Sequence, residues 1–213
     1  MMVHALHFTL GCFSSSFPNG AFAYSYGLEQ YVARQEVKDA IDLEAYIVGL
    51  IHSGSIWNDL LCIKFAHEGQ SPDGYSLDDL ALALLPSKER VLETKNLASS
   101  FTRFMRHVYD TEVSGSSYPV VLGRATCALK VPLTHVMSGY LHGFVMNLIL
   151  VGVRIIPIGQ LAGQKILHNL FDEMERVVAK AGDAQMDDFG GFAVCSDISS
   201  MNHEFLEKRN FIT

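Results

Sequence analysis

L-E-A-Y-I-V-G-L-I-H-S-G-S-I-W-N-D-L-L-C-I-K-F, residues 43–65, decides the fold class. Leu43, Ile47, Leu50, Gly54, Trp57, Leu61 and Phe65 recur three or four positions apart, so they share one helical face. The spacing predicts one amphipathic helix through the stretch, ended by Gly69 and the loop G-Q-S-P-D-G-Y. Ser76 then starts a second helix, with Asp79 placed as its capping-box partner, Leu80 and Leu84 on its buried face and Pro86 as its stop.

The same period continues in both directions. A long helix is predicted from about Lys88 to Asp110, with Val91, Ala98, Phe101, Met105 and Val108 inward. Lys88, Glu89, Arg90, Glu93 and Lys95 fill its first two turns. Pro119 and Pro132 each suit the first turn of a following helix, the second running through Leu150. Leu161, Leu167, Leu170, Met174, Val177 and Ala181 predict a last long helix capped by Gly182. No stretch alternates as a strand between hairpin turns. The expected fold is all-α, a single domain over residues 1–213 with about seven to ten helices. After Gly182 the periodicity weakens, so a flexible or partner-ordered tail is expected from about residue 183.

The composition is 49% hydrophobic and 18% charged, which is apolar for a water-exposed domain and implies a large core or a covered surface. The formal charge of −7 argues against nucleic acid as the main partner. Leu141 to Ile156 is nearly all apolar, but His142, Asn147 and Arg154 interrupt it and a bilayer needs about 20 predominantly apolar residues. A buried core helix is expected there. Cys12, Cys62, Cys127 and Cys195 lack C-x-x-C spacing and read as reduced, mostly buried thiols of a cytoplasmic protein. The first residues lack a basic n-region and a long apolar run, so no signal peptide is expected.

The chain has near-misses to catalytic motifs. Ala23-Tyr24-Ser25-Tyr26-Gly27 approaches a nucleophile elbow, which would make Ser25 the nucleophile of a serine hydrolase; the elbow needs flanking sheet that the pattern does not predict. Otherwise Ser25 is a small polar residue packed near two tyrosines. Gly159 to Lys165 misses the P-loop spacing. His203-Glu204 begins a zinc helix that lacks its second histidine. Cys195, Asp197 and His203 fall close enough for a labile nickel site, or are unrelated surface groups; a stand-alone nickel-binding protein is the reading this would support. Glu29 is either a local carboxylate or a contact to a partner. Arg154 and Lys165 flank a helix break at Pro157-Ile158-Gly159, which suits either a plain turn or a docking site.

Three segments carry a family resemblance. F-P-N-G-A-F-A-Y-S-Y-G-L-E at 17–29, R-I-I-P-I-G-Q-L-A-G-Q-K-I-L at 154–167 and S-D-I-S-S-M-N-H-E at 196–204 resemble, in order, three signatures of the UreF family of urease accessory proteins. Asn19 stands where that family has an apolar residue. The ending E-K-R-N-F-I-T is atypical, with Arg209 as the counterpart of a family arginine. The resemblance implies an all-α, non-catalytic chaperone that joins a UreD-like (or UreH-like) protein and the GTPase UreG on apo-urease. It implies coupling of GTP hydrolysis to nickel delivery, and dimerisation within the complex. It places partner contacts at Phe22, Tyr24, Ser25, Tyr26, Glu29, Arg154, Lys165, His203, Glu204 and Arg209. No tightly bound cofactor is implied; nickel would pass in transit, with Cys195 and His203 as weak ligand candidates.

The absent Walker pattern makes a direct prediction. The purified chain is expected neither to bind nor to hydrolyse GTP. Saturable binding of a fluorescent GTP analogue, followed by anisotropy, would contradict it.

Overall fold

The computed structural model of the chain describes residues 2–14, 17, 24–52 and 54–191. Among these there are ten α-helices and no strand, as the helical period predicts. They are α1 (Met2–Cys12), α2 (Leu28–Ala33), α3 (Ala40–Ile51), α4 (Gly54–His67), α5 (Leu77–Ala83), α6 (Lys88–Tyr109), α7 (Tyr118–Ala128), α8 (Leu133–Ile155), α9 (Gln160–Asn169) and α10 (Phe171–Asp183).

Two helices form the centre. In α4 every residue from Ile56 to Ala66 is buried, with Asn58, Asp59 and Lys64 among them, so the helix is enclosed on all sides rather than along one stripe. It packs closely on α7 and also touches α3, α5, α8 and α10. The other central helix is α8. It is long and apolar enough to cross a membrane, but it is packed against α1, α2, α3, α4, α7, α9 and α10. This matches the expected core helix, and it runs beyond Leu150 to Ile155.

The helix starts follow local chemistry. Asp39 accepts from the amides of Ile41 and Asp42 to cap α3, Ser76 accepts from Asp79 N–H, and Ser87 accepts from Arg90 N–H. Pro119 sits in the first turn of α7. For α6, the predicted span is nearly the observed one.

Several expectations are corrected. The predicted helix over 43–65 is two helices, because Gly54 takes a left-handed φ of 66° between α3 and α4. The break lets α4 turn fully into the core while α3 keeps one face outside. The last long helix is likewise split, at Leu170. Gly182 lies inside α10 rather than capping it, and the helix ends at Ala184, whose carbonyl accepts from the buried Lys64 ammonium. On α5 the buried residues are Leu77 and Ala81, with Leu80 and Leu84 half-buried. On α6, Arg90, Glu93, Thr94 and Leu97 are buried, whereas Val108 is 61% exposed. Cys12 and Cys62 are buried, but Cys127 is exposed.

Residues 184–191, within the stretch expected to be a loose tail, are held along α4. Trp57 donates its indole N–H to the Asp188 carbonyl at 2.9 Å. Gly190 N–H donates to the Asn58 side chain at 3.0 Å. Phe189 packs on Phe65 with ring centroids 5.6 Å apart. The rest of that tail, 192–213, lies outside the described residues.

The close contact of α4 with α7 depends on Gly123. A Cβ there would lie 2.5 Å from the Ile63 carbonyl oxygen and 2.7 Å from Ala66 Cβ. Both obstacles are rigid, so Gly123→Ala must push the helices apart. It is expected to destabilise the fold by about 1–3 kcal/mol, the usual cost of overpacking. Urea or thermal unfolding of the variant checks this, and an unchanged midpoint would refute the close-approach account.

Candidate functional site

The residues with unusual chemistry meet where α4, α6 and α8 converge on residues 24–29. The anchor is Arg90, buried in the first turn of α6. A buried guanidinium must be paired and hydrogen-bonded to be tolerated. Its Nη1 pairs with the Glu93 carboxylate one turn along, and its Nη2 lies 3.7 Å from Asp59 Oδ2 on α4. Its guanidinium carbon sits 4.4 Å from the centroid of the Tyr26 ring, a cation–π stack.

Two tyrosine hydroxyls complete the set. Tyr26 donates to Glu93 Oε1 at 2.8 Å, and Tyr140 from α8 donates to Asp59 Oδ2 at 2.7 Å. Burial and the facing Glu93 hold the Tyr26 phenol well above its ordinary pKa; burial and Asp59 do the same for Tyr140. Both therefore stay protonated and donate. Burial raises Asp59 to about 6, against the lowering pull of Arg90 and of the Tyr140 hydrogen bond. Burial works against the charge of Arg90, yet Glu93, Tyr26 and Asp59 hold its pKa well above the usual value. The guanidinium is permanently charged, and burial brings Asp59 toward neutral pH.

The network borders a cavity of about 100 Å³ whose lining includes Cys12, Phe17, Tyr26, Arg90, Tyr140 and Asn147. That volume holds a few water molecules, and the polar atoms of the network give them partners. Burial pushes the Cys12 thiol up to about 12, so this cavity thiol is protonated and unreactive.

The backbone at the network is unusual. Tyr26 has a φ of 55° and Gly27 a φ of 85°, two left-handed residues in succession. For Tyr26 this conformation is strained and must be over-determined by its surroundings. It is: the hydroxyl is bound to Glu93 and the ring stacks on Arg90. The ring edge also meets Phe144 at 4.8 Å, and the Tyr26 carbonyl accepts from the Tyr46 hydroxyl at 2.7 Å. Next to it, the Tyr24 carbonyl accepts from Asn147 Nδ2 at 2.9 Å. Asn147, which interrupts the apolar run of α8, thus ties that helix to this segment by a hydrogen bond, beside the Phe144 ring contact.

These positions place the residues singled out from sequence. Tyr24, Ser25 and Glu29 are buried, so this part of the segment is turned into the chain's own core rather than outward. Ser25 is wholly buried and precedes a tight turn, with no strand beside it among the described residues, so the hydrolase elbow loses its frame. Arg154, in the last turn of α8, and Lys165, on α9, are both exposed on either side of the Pro157–Gly159 joint. Phe22, Cys195, His203, Glu204 and Arg209 lie outside the described residues. Among the described residues no group of three or more His, Cys, Asp or Glu is placed to hold a metal ion. Sequence reading missed Asp59, Arg90, Glu93 and Tyr140. The available signal was the i,i+3 Arg-Glu pair at the start of α6 and an aspartate within an otherwise apolar helix.

A family model described as UreF matches residues 37–171. The chain is similar to the urease accessory protein UreF of Cereibacter sphaeroides (strain ATCC 17025 / ATH 2.4.3), 36% identical over 200 residues that cover 94% of both chains. It is similarly related to that of Ruegeria pomeroyi, 36% identical over 202 residues covering 94% of this chain and 93% of the relative. For that of Rhodopseudomonas palustris (strain BisA53) the figures are 32% over 220 residues, covering 97% and 92%.

Asp59 makes stability depend on pH. Its folded pKa lies above the unfolded value, so its contribution is fully present below the unfolded pKa of 3.8 and is lost as pH rises through about 6. Asp59→Asn removes this dependence while keeping an acceptor for Tyr140. Wild type is expected to lose stability relative to the variant between about pH 4 and 7, by at most roughly 3 kcal/mol at about 1.4 kcal/mol per pKa unit. Chemical denaturation of both proteins across that range checks it; parallel stability curves would contradict it.

Proposed function

Since the chain belongs to the UreF family of urease accessory proteins, we propose that it is a non-catalytic assembly factor in urease maturation. It bridges a UreD-like protein and a UreG-like GTPase on apo-urease, as a homodimer in the cytoplasm. Through that bridge, GTP hydrolysis on the partner is coupled to nickel delivery. The observation that carries this reading is the 36% identity over 94% of the chain to a relative named urease accessory protein UreF.

The geometry fits a protein that works by contacts. The chemically rich cluster consists of an internally paired arginine, two carboxylates and two donating tyrosines, with no nucleophile beside a base. The left-handed Tyr26–Gly27 turn is held from inside by the cluster, with Tyr24, Ser25 and Glu29 buried beside it. Arg154 and Lys165 offer exposed cations at the α8–α9 joint. Nickel is cargo in this reading, handled in transit with the partners; Cys195 and His203 are its candidate contacts on this chain.

Co-expression tests the role. The chain, the UreD-like and UreG-like proteins and apo-urease are produced together and resolved by size-exclusion chromatography. The expected outcome is co-elution of all four, with urease activity lost when this chain is omitted. Full activation without it would overturn the proposal.

A further inference from the structure

The outer face of α6 carries a line of positive charge in a chain of net charge −7. Lys88, Leu92, Lys95, Ser99, Arg103 and Arg106 follow one another at intervals of three or four residues, and all six are exposed. At 1.5 Å per residue the crest is about 27 Å long. It contains no acid: Glu93 is turned inward to Arg90, and Glu89 lies on the flank. None of the four cations is in an ion pair among the described residues. Leu92, between Lys88 and Lys95, is 58% exposed.

This arrangement works against the helix. Lys88 is its first residue, at the positive end of the helix dipole, where an acid is favoured. Arg103 and Arg106 form a like-charge i,i+3 pair. Arg106 gains from its place in the last turn; Lys88, Lys95 and Arg103 have no such return. Local rules broken without an internal compensation point to an external one.

We propose that the α6 crest docks the carboxylate-rich face of a partner protein. Carboxylates pair with the four cations, and an apolar side chain covers Leu92. The exposed leucine favours protein over a nucleic-acid backbone, which offers it no apolar contact. Two copies of this chain meeting here would set crest against crest in like charge. In its choice of a protein partner the inference rests on the assembly role proposed above.

The test compares the full chain with the Lys95→Glu/Arg103→Glu/Arg106→Glu variant. Binding to the purified UreD-like protein, UreG-like GTPase and apo-urease is measured separately, at about 0.05 M and 0.5 M salt. At least one of the three is expected to associate about ten-fold or more slowly with the variant at low salt, with the difference shrinking at high salt. Equal binding of all three to both proteins would overturn the crest while leaving the assembly role standing. If the wild type binds none of them, the assembly role falls, and a labelled Glu-rich helical peptide bearing a leucine then decides. The crest stands if the peptide binds wild type and not the variant, and falls otherwise. Binding of single-stranded RNA or phosphatidylserine vesicles that the variant loses, without a protein effect, would also overturn it. Circular dichroism controls for folding. Lys88→Glu alone is expected to keep or raise the melting temperature, and a drop would remove the argument that the crest is held against helix stability.

Discussion

A buried guanidinium is the constraint on which the centre of this molecule depends. Arg90 cannot be taken from water without compensation, and Glu93 on the same helix supplies only part of it. The remainder comes from Asp59 on α4 and the face of Tyr26, with Tyr140 of α8 fixing Asp59 in turn. One charge thereby holds together three helices and the turn before α2. The strained conformation of Tyr26 is stable only because all of these partners are in place.

The same logic recurs wherever an irregular backbone meets a core helix. Polar side chains within apolar helices are spent on carbonyls and amides that no helix satisfies. Asn147 takes the Tyr24 carbonyl, Tyr46 the Tyr26 carbonyl, Trp57 the Asp188 carbonyl and Lys64 the end of α10. These groups explain how α8 can be apolar enough to resemble a membrane span, and how α4 can be buried on all sides, while both carry polar residues at fixed positions. They also explain why 184–191 follows α4 although it has little apolar area of its own.

The unusual chemistry of this chain is divided between interior and surface. The buried cluster holds the Tyr26–Gly27 turn and lines a small polar cavity. On the surface lie the exposed cations of α6 and those beside the α8–α9 joint. Membership of the UreF family supplies the biological setting for both, urease maturation.

The sequence by itself determined the helical class, the capped start of α5, the span of α6, the proline-led starts of α7 and α8 and, through three motifs, the family. All of these rest on neighbours within a few residues, where a period of 3.6 or a serine before a helix is legible. The tertiary structure alone decided which helices break, at Gly54 and Leu170, and which charges go inside. Arg90 and Glu93 look like the solvated first turns of an amphipathic helix, and Asp59 looks like an isolated acid. Their partners are distant: Tyr26 is 67 residues from Glu93, and Tyr140 is 81 residues from Asp59. Whether a charge is buried depends on what the fold brings opposite it, and no local pattern carries that information.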